Sequence, residues 1–201
     1  MALSADDIQY KLVKGQEISH YTNEVAALRI EIFFDFPYLY QGDLDYEKKY
    51  LQVYVNSPRS LLILALANNV IIGASTALPL SDEADYVIEP FLKNGFDPLT
   101  VFYFGESVLK KQYRGKGIGK AFFNYREQHA VSFGQYRKTC FCAVNREPTH
   151  PLRPQDYKPL DSFWTGLGYN KENKITSQFS WRDIGDDVET KKSMTYWLKD
   201  L

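Results

Sequence analysis

The stretch Val101–Ala130, VFYFGESVLKKQYRGKGIGKAFFNYREQHA, constrains the chain more than any other. An apolar strand runs through a short basic link into Arg114-Gly115-Lys116-Gly117-Ile118-Gly119, and a helix follows. A strand that delivers the chain to a glycine-rich helix start builds an anion site. The first helical N–H groups have no intrahelical partner, and the helix dipole favours negative charge there. Glycines let the backbone approach a ligand because no Cβ intervenes. Lys110, Lys111, Arg114, Lys116 and Lys120 crowd the segment with no acid among them. A phosphate or pyrophosphate ligand is the expectation.

Two common phosphate motifs do not fit. A P-loop needs Ser or Thr after Gly-Lys, and here Gly119-Lys120 is followed by Ala121. The dinucleotide fingerprint needs G-x-G-x-x-G and an acid about 20 residues on, whereas Gly115, Gly117 and Gly119 alternate strictly. Arg114-x-x-Gly117-x-Gly119 resembles instead the R/Q-x-x-G-x-G/A signature of the GNAT superfamily of acyl-CoA N-acyltransferases. The resemblance extends from about Leu61 to Tyr169. It takes in the strand Lys138–Val144 that ends at Asn145, and Phe163–Tyr169 with its closing Gly168-Tyr169 pair.

The order of elements agrees with that resemblance. Strands are expected at Ile8–Val13, Ser60–Ala67, Val70–Leu78, Val101–Leu109, Thr139–Val144, Ile175–Trp181 and Met194–Leu198. Asn68-Asn69 forms a hairpin turn. Helices are expected from Ser19 or Thr22 to Phe33, over Asp43–Val55, within Ser81–Gly95, over Lys116–Ser132 and over Leu160–Leu167, from apolar spacing and breakers. The fold class is therefore α/β (α+β). The resemblance implies a mixed, mostly antiparallel sheet of about seven strands flanked by helices and splayed near its middle to hold CoA. One GNAT-like domain would span 1–201, with a helical insertion near 81–99 and a proline-rich one near 146–160.

Bulk properties exclude several classes. The formal net charge is −1, so nothing global points to nucleic acid or an anionic membrane. The longest apolar run, Leu61–Ala67, is far too short to span a bilayer. No signal-peptide pattern opens the sequence. The two cysteines, Cys140 and Cys142, share one face of a strand, too close in sequence for an easy disulfide. A cytoplasmic protein without a metal is expected. A homodimer through the last strands would suit the fold.

The resemblance implies acetyl-CoA as co-substrate and direct attack on the thioester by an amine of a small molecule or peptide. It places Arg114, Gly115, Lys116, Gly117, Ile118, Gly119 and Lys120 around the pyrophosphate. Ser107, Val108 and Leu109 would lie along the pantetheine arm, with Asn145 and Trp164 also at the cofactor. Glu106, a lone acid in an apolar strand, is expected to act as base or to bind the amine, since desolvation raises its pKa. Members of the family carry a tyrosine as general acid where this chain has Trp164, which has no proton to give. Tyr157 and Ser162 are the neighbouring hydroxyls for that role. The acceptor would meet Phe34, Asp35, Phe36 and Tyr38, between the first two helices, and His150 in the proline-rich loop. Three alternatives stay open: an acyl-CoA-binding or sensing domain without chemistry, a nucleotide-binding oxidoreductase, and an O-acyl acceptor.

Overall fold

The computed structural model describes residues 8–201. Seven strands form one sheet: β1 (Ile8–Lys14), β2 (Leu61–Ala67), β3 (Val70–Pro79), β4 (Val101–Leu109), β5 (Lys138–Val144), β6 (Asn170–Trp181) and β7 (Thr190–Asp200). Their spatial order is β1-β2-β3-β4-β5-β7-β6. All neighbours are antiparallel except β4 and β5. Six helices accompany the sheet: α1 (Thr22–Phe33), α2 (Leu44–Tyr50), α3 (Gln52–Asn56), α4 (Asp85–Lys93), α5 (Ile118–Val131) and α6 (Asp161–Gly166).

The β2–β3 hairpin turns at Asn68 and Asn69, both with positive φ (51° and 62°). This is the backbone that a two-residue hairpin demands and that Asn tolerates. β2 reads LLILALA because it is buried on both faces. Leu62 and Leu64 pack towards Val25 and Leu28 of α1, with Tyr54 of α3 and Phe91 of α4 on the same face. Ile63 and Ala65 pack on the opposite face with Ile118 and Phe122 of α5. Further along that second face an aromatic cluster joins Phe102, Phe104, Phe123, Phe141, Tyr169 and Trp197.

Several elements differ from the sequence expectation. The helix expected over Asp43–Val55 is broken into α2 and α3 at Leu51. The helix expected from Lys116 starts at Ile118, because Gly117 is left-handed (φ 82°) and serves as its N-cap. β6 begins at Asn170 rather than Ile175. Its first half, NKENK, is polar edge strand with no apolar alternation to reveal it. A 3₁₀ turn over Gly15–Tyr21 was also not foreseen.

Two irregularities in β4 create the site. First, β4 pairs with β5 only over Val101–Tyr103, so the two strands part beyond Phe104. Second, the β3–β4 register carries one extra residue on β4 between Phe104 and Ser107. Ahead of this bulge Val101 and Tyr103 face the α1 side, while Phe102 and Phe104 face α5. Strict alternation would send Glu106 after Phe104, into the aromatic cluster. The extra residue resets the alternation and brings Glu106 to the face of Tyr103. Gly105 is obligatory at this point, since a Cβ there would stand 2.0 Å from the Tyr54 hydroxyl and 2.5 Å from Thr76 Oγ1.

Candidate active site

A cavity of about 380 Å³ opens on the α1 side of the strand divergence. Tyr103, Gly105 and Glu106 of β4 and Cys142 of β5 form its floor. Arg29 and Phe33 of α1, with Glu47 and Tyr50 of α2, line a second side. Gln178–Trp181 of β6 and Met194 of β7 line a third. Tyr38 and Tyr40, from the link between α1 and α2, also face it.

Its charged centre is a buried triad. Arg29 Nη1 donates to Glu106 Oε2 at 2.5 Å, and Arg29 Nε donates to Glu47 Oε2. All three side chains are at most one-tenth exposed. The guanidinium also lies over the rings of Tyr50 (4.2 Å) and Phe33 (5.0 Å). Two carboxyl groups share one cation. Oε1 of Glu47 and Oε1 of Glu106 are buried without a hydrogen bond of normal geometry. Burial raises the Glu106 carboxyl above its ordinary value, and Arg29 pulls it back only in part. The site thus offers a buried carboxyl group, held by Arg29, in the lining of a cavity.

Arg29 and Glu47 were missed by sequence reasoning, although each carries a signal. Arg29 sits four residues after Val25 on the apolar stripe of α1. Glu47 falls four residues before the buried Leu51, on the inward face of α2. A charge on a buried stripe implies a partner.

Glu83, just ahead of α4, is a further acid of this region. Burial raises its carboxyl to about 7, against a backbone hydrogen bond from Ala84. Between the ordinary carboxylate value and 7, the folded chain holds a proton that the unfolded chain releases. Stability therefore falls as pH rises through that window. The Glu83→Gln variant is expected to show a flatter stability–pH curve than the native protein between about pH 5 and 7.5, checked by urea unfolding at fixed pH steps.

Just past the C-terminal end of β4, a few residues beyond Glu106, the glycine loop begins. Gly115 and Gly117 both have positive φ (76° and 82°), and a Cβ on either would meet nothing within 4 Å. Their role is conformational freedom beside open space. Gly119 differs, since a Cβ there would lie 3.4 Å from the Phe163 ring of α6. Ala121 N donates to Gly117 O at 3.0 Å. The N–H groups of Ile118, Gly119 and Lys120, which precede it, have no acceptor within the helix. Lys110 pairs with Glu31 (3.1 Å) and Lys111 with Asp35 (2.9 Å). Lys110 therefore ties this segment to α1, and Lys111 ties it to the α1–α2 link. Arg114 is exposed and donates to Leu109 O at 3.3 Å.

The remaining residues singled out from sequence fall as follows. Ser107 Oγ is 2.9 Å from Ser75 Oγ, and Val108 is buried. The Asn145 amide donates to Thr195 Oγ1 (2.9 Å) and Ser193 Oγ (3.1 Å) of β7. Trp164 packs edge-on against Phe141 and Trp197, each at 5.1 Å. Tyr157 stands edge-on to Phe36 (4.7 Å), His150 lies 5.8 Å from the same ring, and Arg153 covers it at 5.7 Å. The proline-rich loop is thereby fastened to the α1–α2 link. Ser162 is exposed on α6, and Phe34 is exposed on the link. Of the acceptor residues expected from sequence, Tyr38 lines the cavity. Asp35 is held by Lys111, and neither it, Phe34, Phe36 nor His150 is part of the lining.

A second network fixes the roof. Arg146 donates to the carbonyls of Pro37 and Tyr38 (2.7 Å each) and to both oxygens of Asp183 (2.7 and 2.9 Å). Lys192 adds a contact to Asp183 at 3.2 Å. Burial alone would raise the Asp183 carboxyl, but Arg146 and Lys192 hold it below its ordinary value. Among the described residues no group of three or more His, Cys, Asp or Glu is placed to hold a metal ion. No helix among them is long and apolar enough to cross a membrane.

A mixed sheet that parts after a short parallel contact, with a glycine-cradled helix start at the opening, defines an acyltransferase class of fold. The family model for the acetyltransferase (GNAT) family matches residues 25–152, more than half of the chain, and the chain belongs to that family. No curated protein sequence matches it significantly. Solved structures share its fold at low identity. NAA60 of Arabidopsis thaliana, in complex with a bisubstrate analogue, aligns with TM-score 0.61 and 11% identity over 96% of this chain and 99% of that one. The yncA protein of Salmonella typhimurium, with its cofactor acetyl-CoA, gives 0.59 and 9% over 97% and 94%. A GNAT-family acetyltransferase from Streptococcus pneumoniae gives 0.59 and 12% over 96% and 99%.

Proposed function

We propose that this protein transfers an acetyl group from acetyl-CoA to an amine. The observation that carries the reading is the position of Glu106. The β4 bulge places its carboxylate in a cavity that opens where β4 and β5 part, and the same strand leads into the glycine loop.

The residues present fit the CoA group. Gly115 and Gly117 keep the loop free of side chains beside open space. The N–H groups of Ile118, Gly119 and Lys120 would bind pyrophosphate, with Arg114 and Lys116 adding charge. Ser107–Leu109 would receive the pantetheine amides along the part of β4 that β5 leaves unpaired. The bound thioester supplies an activated acetyl group. The acceptor ammonium is drawn by Glu106 and Glu47, which share Arg29. Glu106 Oε1 then takes its proton, and burial makes that carboxylate a stronger base. N–H groups at the bulge, where the ladder is interrupted, would polarise the thioester carbonyl. Tight placement of both reactants supplies much of the acceleration. The departing thiolate needs no assistance from Trp164, which lies among aromatic rings and has no acidic proton.

Acetyl transfer is tested by release of free thiol from acetyl-CoA across a panel of amines, with mass spectrometry of the acceptor. Gly117→Val is expected to weaken CoA binding by more than about tenfold, as a β-branched residue at positive φ distorts the loop, and to cost about 1–2 kcal/mol of stability. Calorimetric titration with CoA and urea unfolding check the two effects separately.

A further inference from the structure

The cavity does not end at its aromatic walls. A second chamber of about 430 Å³ adjoins it and shares Tyr40, Tyr46, Ser180, Trp181 and Glu189 with it. The two chambers differ in how they carry charge. The inner one holds Oε1 of Glu47 and of Glu106, both buried and without a hydrogen bond of normal geometry. The outer one is lined by Asp43, Asp187 and Glu189, with Arg182 as its cation. Asp43 is already engaged as the N-cap of α2, accepting from Tyr46 N at 2.9 Å. Asp187 and Glu189 are exposed, as is Asp43. Lys192, which is near in sequence, is held by Asp183 at 3.2 Å. The rings of Tyr40, Tyr46 and Trp181 border both chambers, as does Glu189. From Gln178 to Trp181 the lining strand advances about 10 Å.

An acceptor complementary to this shape has a cation at each end and a slender apolar stem between. We propose that the acceptor is a linear aliphatic di- or polyamine, with its reacting nitrogen at Glu106 and a second ammonium at Asp187 and Glu189. The proposal rests on the acetyl-transfer reading above and names the substrate class of that site. Methylene groups suit the aromatic walls, and an ammonium is attracted both to ring faces and to the carboxylates beyond them. A simple alkylamine leaves the outer acids without a partner. An amino acid would bring its own carboxylate towards them.

The test is a comparison of kcat/KM with saturating acetyl-CoA for 1,4-diaminobutane, spermidine, n-pentylamine, 2-phenylethylamine and a short neutral peptide with a free N-terminus. The diamine or triamine is expected to exceed n-pentylamine by about tenfold or more at low salt. That ratio should shrink as salt is raised, because the outer acids are exposed. The double substitution Asp187→Asn with Glu189→Gln, both at exposed positions, is expected to bring the ratio close to one, mainly through KM for the diamine. If n-pentylamine, 2-phenylethylamine or the peptide matches or exceeds the polyamines, the substrate class is wrong while acetyl transfer to amines stands. A ratio that survives both high salt and the double substitution also overturns the outer-chamber assignment. Transfer to none of the amines overturns this proposal and the acetyl-transfer reading together.

Discussion

The Arg29→Met variant is expected to unfold with about 3–5 kcal/mol less free energy than the native protein at pH 8, the range found when one partner of a buried ion pair is removed. The reason is the arrangement around it. Arg29 is the guanidinium shared by Glu47 and Glu106, and both carboxylates are almost wholly buried. Methionine fills much of the space between Tyr50 and Phe33 but leaves two desolvated negative charges side by side. The Glu106 carboxyl, already raised by burial, must then rise further in the folded state because Arg29 no longer pulls it back. Below that raised value the folded variant holds a proton that the unfolded chain releases, so the variant gains stability as pH falls. The gap between native protein and variant should narrow steadily from pH 8 to pH 5. Urea unfolding across that range measures it through the midpoint at constant slope. A gap that stayed constant would mean that the carboxylates reach solvent.

Glu106→Gln is expected to lower kcat/KM by about 10²–10³-fold, the scale of a lost general base, while leaving CoA affinity within a factor of about two. Glutamine keeps the shape of the side chain, and Arg29 retains Glu47 as a partner. The substitution removes the proposed proton acceptor and one of the three acids that line the cavity. A loss confined to kcat identifies proton removal. A loss confined to KM identifies binding of the ammonium. A domain that merely held the thioester would have no turnover to lose. The glycine loop follows β4 and is not part of the cavity lining, so retention of CoA binding separates the two halves of the site.

Much of this arrangement is legible in the sequence, for reasons that can be named. The glycine loop announces itself because left-handed backbone at Gly115 and Gly117 restricts the residue type strongly. The Asn68-Asn69 turn does so for the same reason. β2 and β3 show as apolar runs because both faces are covered. The bulge leaves a fainter mark. Gly105 inside an otherwise apolar strand signals a close backbone approach, but nothing local says that Tyr54 and Thr76 are what approach, or that Glu106 changes face in consequence. The triad is fainter still. Arg29, Glu47 and Glu106 come from three separate elements, and only the docking of α1 and α2 on the sheet joins them. The polar edge of β6 hides the strand that walls the cavity, and the Arg146–Asp183 clamp joins residues far apart in the chain. Local chemistry marks the glycine loop, whereas the cavity depends on long-range packing.

The central claim is that the loop and the parted strands bind a CoA thioester. It is tested most directly by thermal unfolding of the protein with acetyl-CoA, CoA and NAD⁺ side by side. At about 100 times the dissociation constant, acetyl-CoA and CoA are each expected to add about 2.7 kcal/mol of stability, seen as a clear rise in Tm, with no rise for NAD⁺. Equal Tm values with and without the CoA species at millimolar concentration would contradict the account, and the three glycines would then be a strand-to-helix turn and nothing more.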